Sequence, residues 1–99
     1  MKIYRKIYEL RNKERLESVE IIKDGKRIYY SYNYQILKDN KWRISVRWDN
    51  FQKKPHVDSF DENGNLQSSS STREKSLKEV LELIDIFGKN IVSMDITKL

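Results

Sequence analysis

Apolar and polar residues alternate with period two along much of the first sixty positions, then change to helical spacing. Lys26 to Leu37 alternates most cleanly. Ile28, Tyr30, Tyr32, Tyr34 and Ile36 fall on one face; Tyr29, Ser31, Asn33, Gln35 and Leu37 fall on the other. Period two marks a half-buried strand, because successive side chains leave a pleated backbone on opposite sides. Trp42, Ile44, Val46 and Trp48 alternate with Arg43, Ser45, Arg47 and Asp49 and predict a second strand. A third follows from His56, Asp58 and Phe60 set against Val57 and Ser59. Ahead of them, Ser18 to Lys23 carries Val19, Ile21 and Ile22 and runs into Asp24-Gly25, a pair suited to the positive φ angles of a type I′ turn. Lys38-Asp39-Asn40-Lys41 supplies the next turn. Asp49-Asn50 ends its strand, since short Asx side chains bond their own backbone.

The flanks are less regular. Met1 to Leu10 has apolar residues at i, i+4 and i+7, but its β-branched and aromatic content favours a strand. Arg11 to Glu17 is charged, shows no apolar face, and is read as a connection. Asp61 to Asn65 is a turn, and Leu66-Gln67 adds at most a short strand. Ser68 to Ser71 is read as loop plus helix cap, Ser71 and Glu74 having capping-box spacing. Leu77, Val80, Leu81, Ile84 and Phe87 then form a helical stripe, widened by Leu83 and Ile86, with Gly88 placed as a C-cap. Ile91, Val92, Met94 and Ile96 predict a final short strand at a sheet edge, where two copies can join. The expected fold is α+β: one domain, an antiparallel β-meander of four to five strands with one long C-terminal helix packed on one face.

Composition narrows the function classes. The chain of 99 residues is 37% hydrophobic and 35% charged, with eleven aromatic residues and no cysteine. Disulfides and thiolate metal centres are therefore excluded, and the aromatic content argues against disorder. No apolar run reaches a membrane span, so a cytoplasmic, soluble protein with no membrane partner is expected. The net charge of +5 is uneven. Residues 1–54 hold fifteen Lys/Arg and seven Asp/Glu, or +8, whereas residues 55–99 hold five and eight, or −3. A basic sheet half can attract a polyanion such as RNA.

His56 is the one histidine. Alternation sets it beside Asp58 and, across a hairpin, near Arg47 and Asp49 on a concave face that the helix leaves open. An imidazole oriented by a carboxylate is an acid–base pair, and an arginine beside it stabilises developing negative charge. The candidate catalytic residues are His56, Asp58, Arg47 and Asp49. The bland alternative is a histidine paired with an acidic neighbour for stability. Asp49, His56 and Asp58 are also metal-ligand types, but with no cysteine and no second histidine, neither a metal nor a cofactor is expected. Arg27, Arg43, Arg47, Lys53 and Lys54 are the candidate nucleic-acid contacts. Tyr30, Tyr32 and Tyr34 read either as a stacking platform for bases or as core beneath the helix, and core is favoured.

Tyr30-Ser31-Tyr32, followed by Arg47-Trp48-Asp49-Asn50 and then Pro55-His56, resembles a group of small prokaryotic proteins. The group includes the TumE-type toxins of toxin–antitoxin pairs, and related families with an aromatic-Asp strand end, a short loop and Pro-His before a single helix. The resemblance spans about residues 28–87. The toxins carry a histidine-rich string after the proline, whereas here His56 continues into Val57-Asp58. The resemblance implies a toxin-like or interaction module of a toxin–antitoxin or defence locus, contacting RNA or an antitoxin-like partner protein. A metal-independent ribonuclease using His56 is one alternative. A non-catalytic structural or dimerisation subunit is the other.

Overall fold

Six strands, rather than four or five, build the sheet of the computed structural model, which describes residues 1–99. They are β1 (Lys2–Glu9), β2 (Glu14–Lys23), β3 (Lys26–Lys38), β4 (Lys41–Asp49), β5 (His56–Phe60) and β6 (Leu66–Ser71). Each pairs antiparallel with its sequence neighbour, so the sheet order is the chain order and the meander is as expected. Tight turns make this possible. Asp24 and Gly25 have φ of 51° and 73°, and Asp39 and Asn40 have 52° and 61°, both central residues left-handed as a type I′ turn needs.

The two additional strand lengths were hidden by polar residues. β2 starts at Glu14, inside the charged stretch read as a connection. Glu14, Leu16 and Ser18 alternate into the core, and the Glu14 carboxylate is buried there, accepting a hydrogen bond from Tyr34 Oη. A charged residue at a core position conceals the apolar alternation. β6 is mostly serine and pairs with β5 through its backbone, His56 opposite Ser71 and Asp58 opposite Ser69. Ser71 is therefore the end of a strand and not a helix cap. Glu74 instead pairs with Arg27.

The cap lies five residues on. α1 (Leu77–Phe87) is preceded by Ser76, whose Oγ accepts from Glu79 N at 3.1 Å while Glu79 Oε1 accepts from Ser76 N at 3.2 Å. Hydrogen bonding from the Arg73 guanidinium, and then from Ser76 N–H, holds the Glu79 carboxyl down at about 2. Replacing Ser76 with Ala should cost about 1 kcal/mol in urea unfolding, with the loss reproduced by Glu79→Ala only in part, because the hydroxyl does most of the capping. At the other end Arg11 reaches across from the β1–β2 turn and donates to Ile84 O at 3.3 Å and Asp85 O at 2.8 Å. A cation on the last carbonyls opposes their partial negative charge. Gly88 has φ 54°, and a Cβ there would sit 3.1 Å from the Arg11 guanidinium. Ile91 to Ile96 forms 3₁₀ turns (Gly88–Ser93 and Ile96–Lys98) in place of the expected strand, so no edge is added there.

One face of the sheet and α1 enclose the core. Leu16, Tyr30, Tyr32, Tyr34, Val46, Trp48 and Val57 meet Val80, Ile84 and Ile91, all essentially without solvent contact. The tyrosines are core, as favoured above. Leu77, Leu81, Leu83 and Phe87 pack at its margin, whereas Ile86 is exposed. No helix is long and apolar enough to cross a membrane.

Bulges decide which face several residues join. Tyr34 pairs with Val46 but Gln35 pairs with Ile44, leaving Ser45 as an extra residue in β4. That insertion reverses the alternation. Val46 and Trp48 face α1, while Ile44 and Trp42 turn to the other side, so Trp42 is not core and is 37% exposed. Ile28 is likewise the extra residue where Ile21 pairs with Tyr29 and Ile22 with Arg27.

Candidate functional site

The face turned away from α1 is polar at its centre. Ser31, Asn33 and Gln35 of β3 are buried there, although no helix lies over them. Side chains supply the cover. Arg15 donates from Nε to Gln35 Oε1 at 2.6 Å and lies 4.1 Å over the Trp42 ring. Arg47 lies 5.0 Å over the Phe60 ring. Guanidinium groups on aromatic faces are attracted by the ring quadrupole and roof the strip on both sides.

Pairing of β4 with β5 assembles the predicted catalytic set. Arg47 stands opposite Asp58 and Asp49 opposite His56, so four functional side chains share this face. They close into a ring in which Arg47 and His56 alternate with the two carboxylates. Arg47 Nε is 3.2 Å from Asp49 Oδ2, and Arg47 Nη2 donates to Asp58 Oδ2 at 3.2 Å. His56 Nε2 is 3.2 Å from Asp49 Oδ1 and 3.3 Å from Asp58 Oδ2. Both carboxylates are nearly inaccessible, with side-chain exposure of 7%, against 33% for Arg47 and 25% for His56. The ring is open to solvent through Arg47 and His56.

Local structure explains the placement. Asp49 Oδ1 also accepts from Phe51 N at 3.0 Å, and Asn50 Oδ1 accepts from Tyr30 N at 2.9 Å. The Asx pair that ends β4 thus ties the connection to β3 and aims one carboxylate into the ring. Gln52 and Lys53 take left-handed φ of 57° and 60° to turn the chain into β5. Lys54 O lies 2.8 Å from His56 Nδ1. A carbonyl only accepts, so Nδ1 carries a proton and Nε2 is the nitrogen turned to the carboxylates. With a second proton on Nε2 the ring is electrically balanced, two cations against two anions.

Sequence reasoning missed two contributors. Ser69 Oγ donates to Asp58 Oδ1 at 2.6 Å from the serine strand, a position no apolar pattern marks. Asn33, directly opposite Arg47, has a buried Oδ1 with no partner, and Arg47 Nε is a buried nitrogen with no hydrogen bond. Arg47 Nε nevertheless has Asp49 Oδ2 at 3.2 Å as its ion-pair partner, so Asn33 Oδ1 is the group left without one.

The other expected contacts are divided. Lys53 and Lys54 are exposed on the connection beside His56. Arg27 lies on the helix side, donating to Tyr32 Oη at 2.6 Å and pairing with Glu74 at 3.1 Å. Arg43 is also away from the ring, lining a cleft with Ile36, Phe60 and Val92. None of the leading clefts is lined by Arg47, Asp49, His56 or Asp58, so the ring sits on an open surface in place of the expected concavity. One atom each of Asp49, His56 and Asp58 lie within 4.8 Å of one another, a spacing a cation can span. The guanidinium of Arg47 already bridges the two carboxylates and supplies the positive charge an ion would bring. Comparison with protein-family models, with curated proteins and with solved structures finds no match.

Proposed function

We propose that this chain is a toxin-like module of a prokaryotic toxin–antitoxin or defence locus, and that it contacts single-stranded RNA on the face turned away from α1. The observation that carries the reading is the set of groups gathered there. Arg47 with Phe60, and Arg15 with Trp42, pair a phosphate-binding cation with an aromatic plane on which a base can stack. Lys53 and Lys54 extend the cationic border. A partner protein, an antitoxin above all, is the other occupant of this face in such a locus.

Filter retention of a mixed RNA pool tests the contact. Retention at low ionic strength should fall steeply with added salt, because phosphate contacts release counterions. Absence of retention at low salt removes the RNA reading and leaves the partner protein.

A metal-independent ribonuclease is the second reading, favoured by the orientation of His56. With Nδ1 bound to Lys54 O, the unprotonated ring presents Nε2 to a ribose 2′-hydroxyl as a base. The 2′-oxygen would bond to phosphorus, the P–O5′ bond would break, and the 5′-oxygen would leave with a proton from water. Arg47 would hold the equatorial oxygens. In the presence of a chelator, His56→Ala should abolish cleavage while costing only about 1 kcal/mol in urea unfolding. Cleavage that survives the substitution rules out this chemistry without touching the binding result.

A further inference from the structure

The N-terminal strand is unusual for an edge. β1 is eight residues long, without bulge or proline, and pairs on one side alone. Apart from Tyr8, which packs at the core margin, its faces are exposed: Ile3 is 66% exposed, Tyr4 51% and Ile7 47%. The opposite edge, β6, is shorter and has the Ile96–Lys98 turn against it. Proteins ordinarily blunt a long edge strand, because its free N–H and C=O groups template pairing with another chain.

We propose that β1 is a homodimerisation edge, pairing antiparallel with β1 of a second copy around a two-fold axis through Ile7. The register follows from charge. A two-fold normal to the sheet brings like faces together, so residue numbers of opposed pairs must sum to an even value. Four such registers pair five or more residues of Lys2–Glu9. A sum of 8 sets Lys2 against Lys6. A sum of 10 puts Arg5 against Arg5, and a sum of 12 puts Lys6 against Lys6. Like charges directly opposite are destabilising. The remaining sum, 14, sets Arg5 against Glu9 twice, Lys6 against the Tyr8 ring twice, and Ile7 against Ile7. Within one chain Lys6 Nζ already lies 4.8 Å over Tyr8, so the cation and the ring share a face. This register alone is charge-complementary and self-matching, which favours a second copy over an unrelated strand. The joined sheet has twelve strands, two copies of the six in each chain. The site face of each protomer is left uncovered.

Light scattering across a concentration series into the millimolar range should show a dimer. Arg5→Glu sets the introduced carboxylate against Glu9 in both symmetric pairs and should weaken the dimer about tenfold or more. The charge swap R5E/E9R restores opposite pairs and should restore the dimer. Both variants should keep the parent's far-ultraviolet circular dichroism, since β1 contributes little to the core. The chain has no cysteine, so Ile7→Cys reports the axis directly. Cα atoms opposed across an antiparallel pair lie within disulfide range, and mild oxidation should cross-link the introduced thiol to its mate in the second copy. A wild-type chain that stays monomeric overturns the proposal and leaves the edge to a strand of another protein. A dimer indifferent to R5E, or not rescued by the swap, overturns it as well.

Discussion

Raising the pH above about 10 should unfold this protein steeply, at about 3 kcal/mol per pH unit from two protons at about 1.4 each, with Tyr30 adding in the same direction. The cause is the tyrosine ladder. Burial, first of all, pushes the Tyr30, Tyr32 and Tyr34 hydroxyls up from the ordinary value. For Tyr32 and Tyr34 the second cause is a hydrogen bond to a carboxylate, Glu20 and Glu14 respectively. The folded state therefore keeps three protons that the unfolded chain releases near pH 10. Stability from a raised value is complete below the unfolded titration and is lost as pH rises toward the folded one. Each group contributes up to about 1.4 kcal/mol per unit in that window. A chain of this size has about 5–15 kcal/mol in all, so from the lower half of that range the transition should finish within about two to three units. Lys75, pushed down by burial, works the opposite way and only below its own unfolded value. Tyrosinate absorbance and circular dichroism followed together provide the check. Half the tyrosines should ionise only as the fold is lost. Ionisation of all six near pH 10 with the dichroism intact would mean the ladder is not sealed.

The second large effect concerns the charged ring. Arg47→Met should destabilise by about 2–3 kcal/mol, at or just below the lower end of the cost of stripping a partner from buried charge, because the guanidinium is itself one-third exposed. Asp49 and Asp58 are almost inaccessible, and without the guanidinium they face each other across one histidine. Adding D49N and D58N to R47M should recover most of the loss, since neutral amides no longer need the cation. Urea midpoints of wild type, R47M and the triple variant decide it. If R47M alone is nearly silent, the ring is too wet to matter for stability.

The meander was legible because two Asx turns and the tyrosine alternation mark it plainly, and the helix because its stripe is long. Other parts were not. Glu14 reads as surface until Tyr34 is known to lie against it. Ser45 looks like any alternating residue, yet its insertion moves Trp42 and Ile44 across the sheet. A strand of serines carries no hydrophobic signal, and its pairing rests on backbone groups common to every residue. Within the site, alternation and a short connection were enough to bring His56, Asp58, Arg47 and Asp49 to one face. The Lys54 carbonyl that orients the imidazole has no side-chain signature at all. Ser69 depends on the register of β6, and Asn33 on the pairing of β3 with β4, both set by tertiary structure.

The carboxylates inside the tyrosine ladder bear on how the β2–β3 hairpin avoids mispairing. A slip of two residues keeps every apolar side chain on its proper face, so hydrophobic burial scarcely opposes it. The two acid–tyrosine pairs are diagonal in opposite senses, so a slip one way parts Glu20 from Tyr32 and a slip the other way parts Glu14 from Tyr34; both form together only in the native alignment. The penalty is strongest for the buried Glu14 carboxylate, whereas Glu20 is partly exposed and keeps Arg27 nearby. Between them the two acids make a slip in either direction cost one native pair, a preference for register that apolar burial alone does not supply.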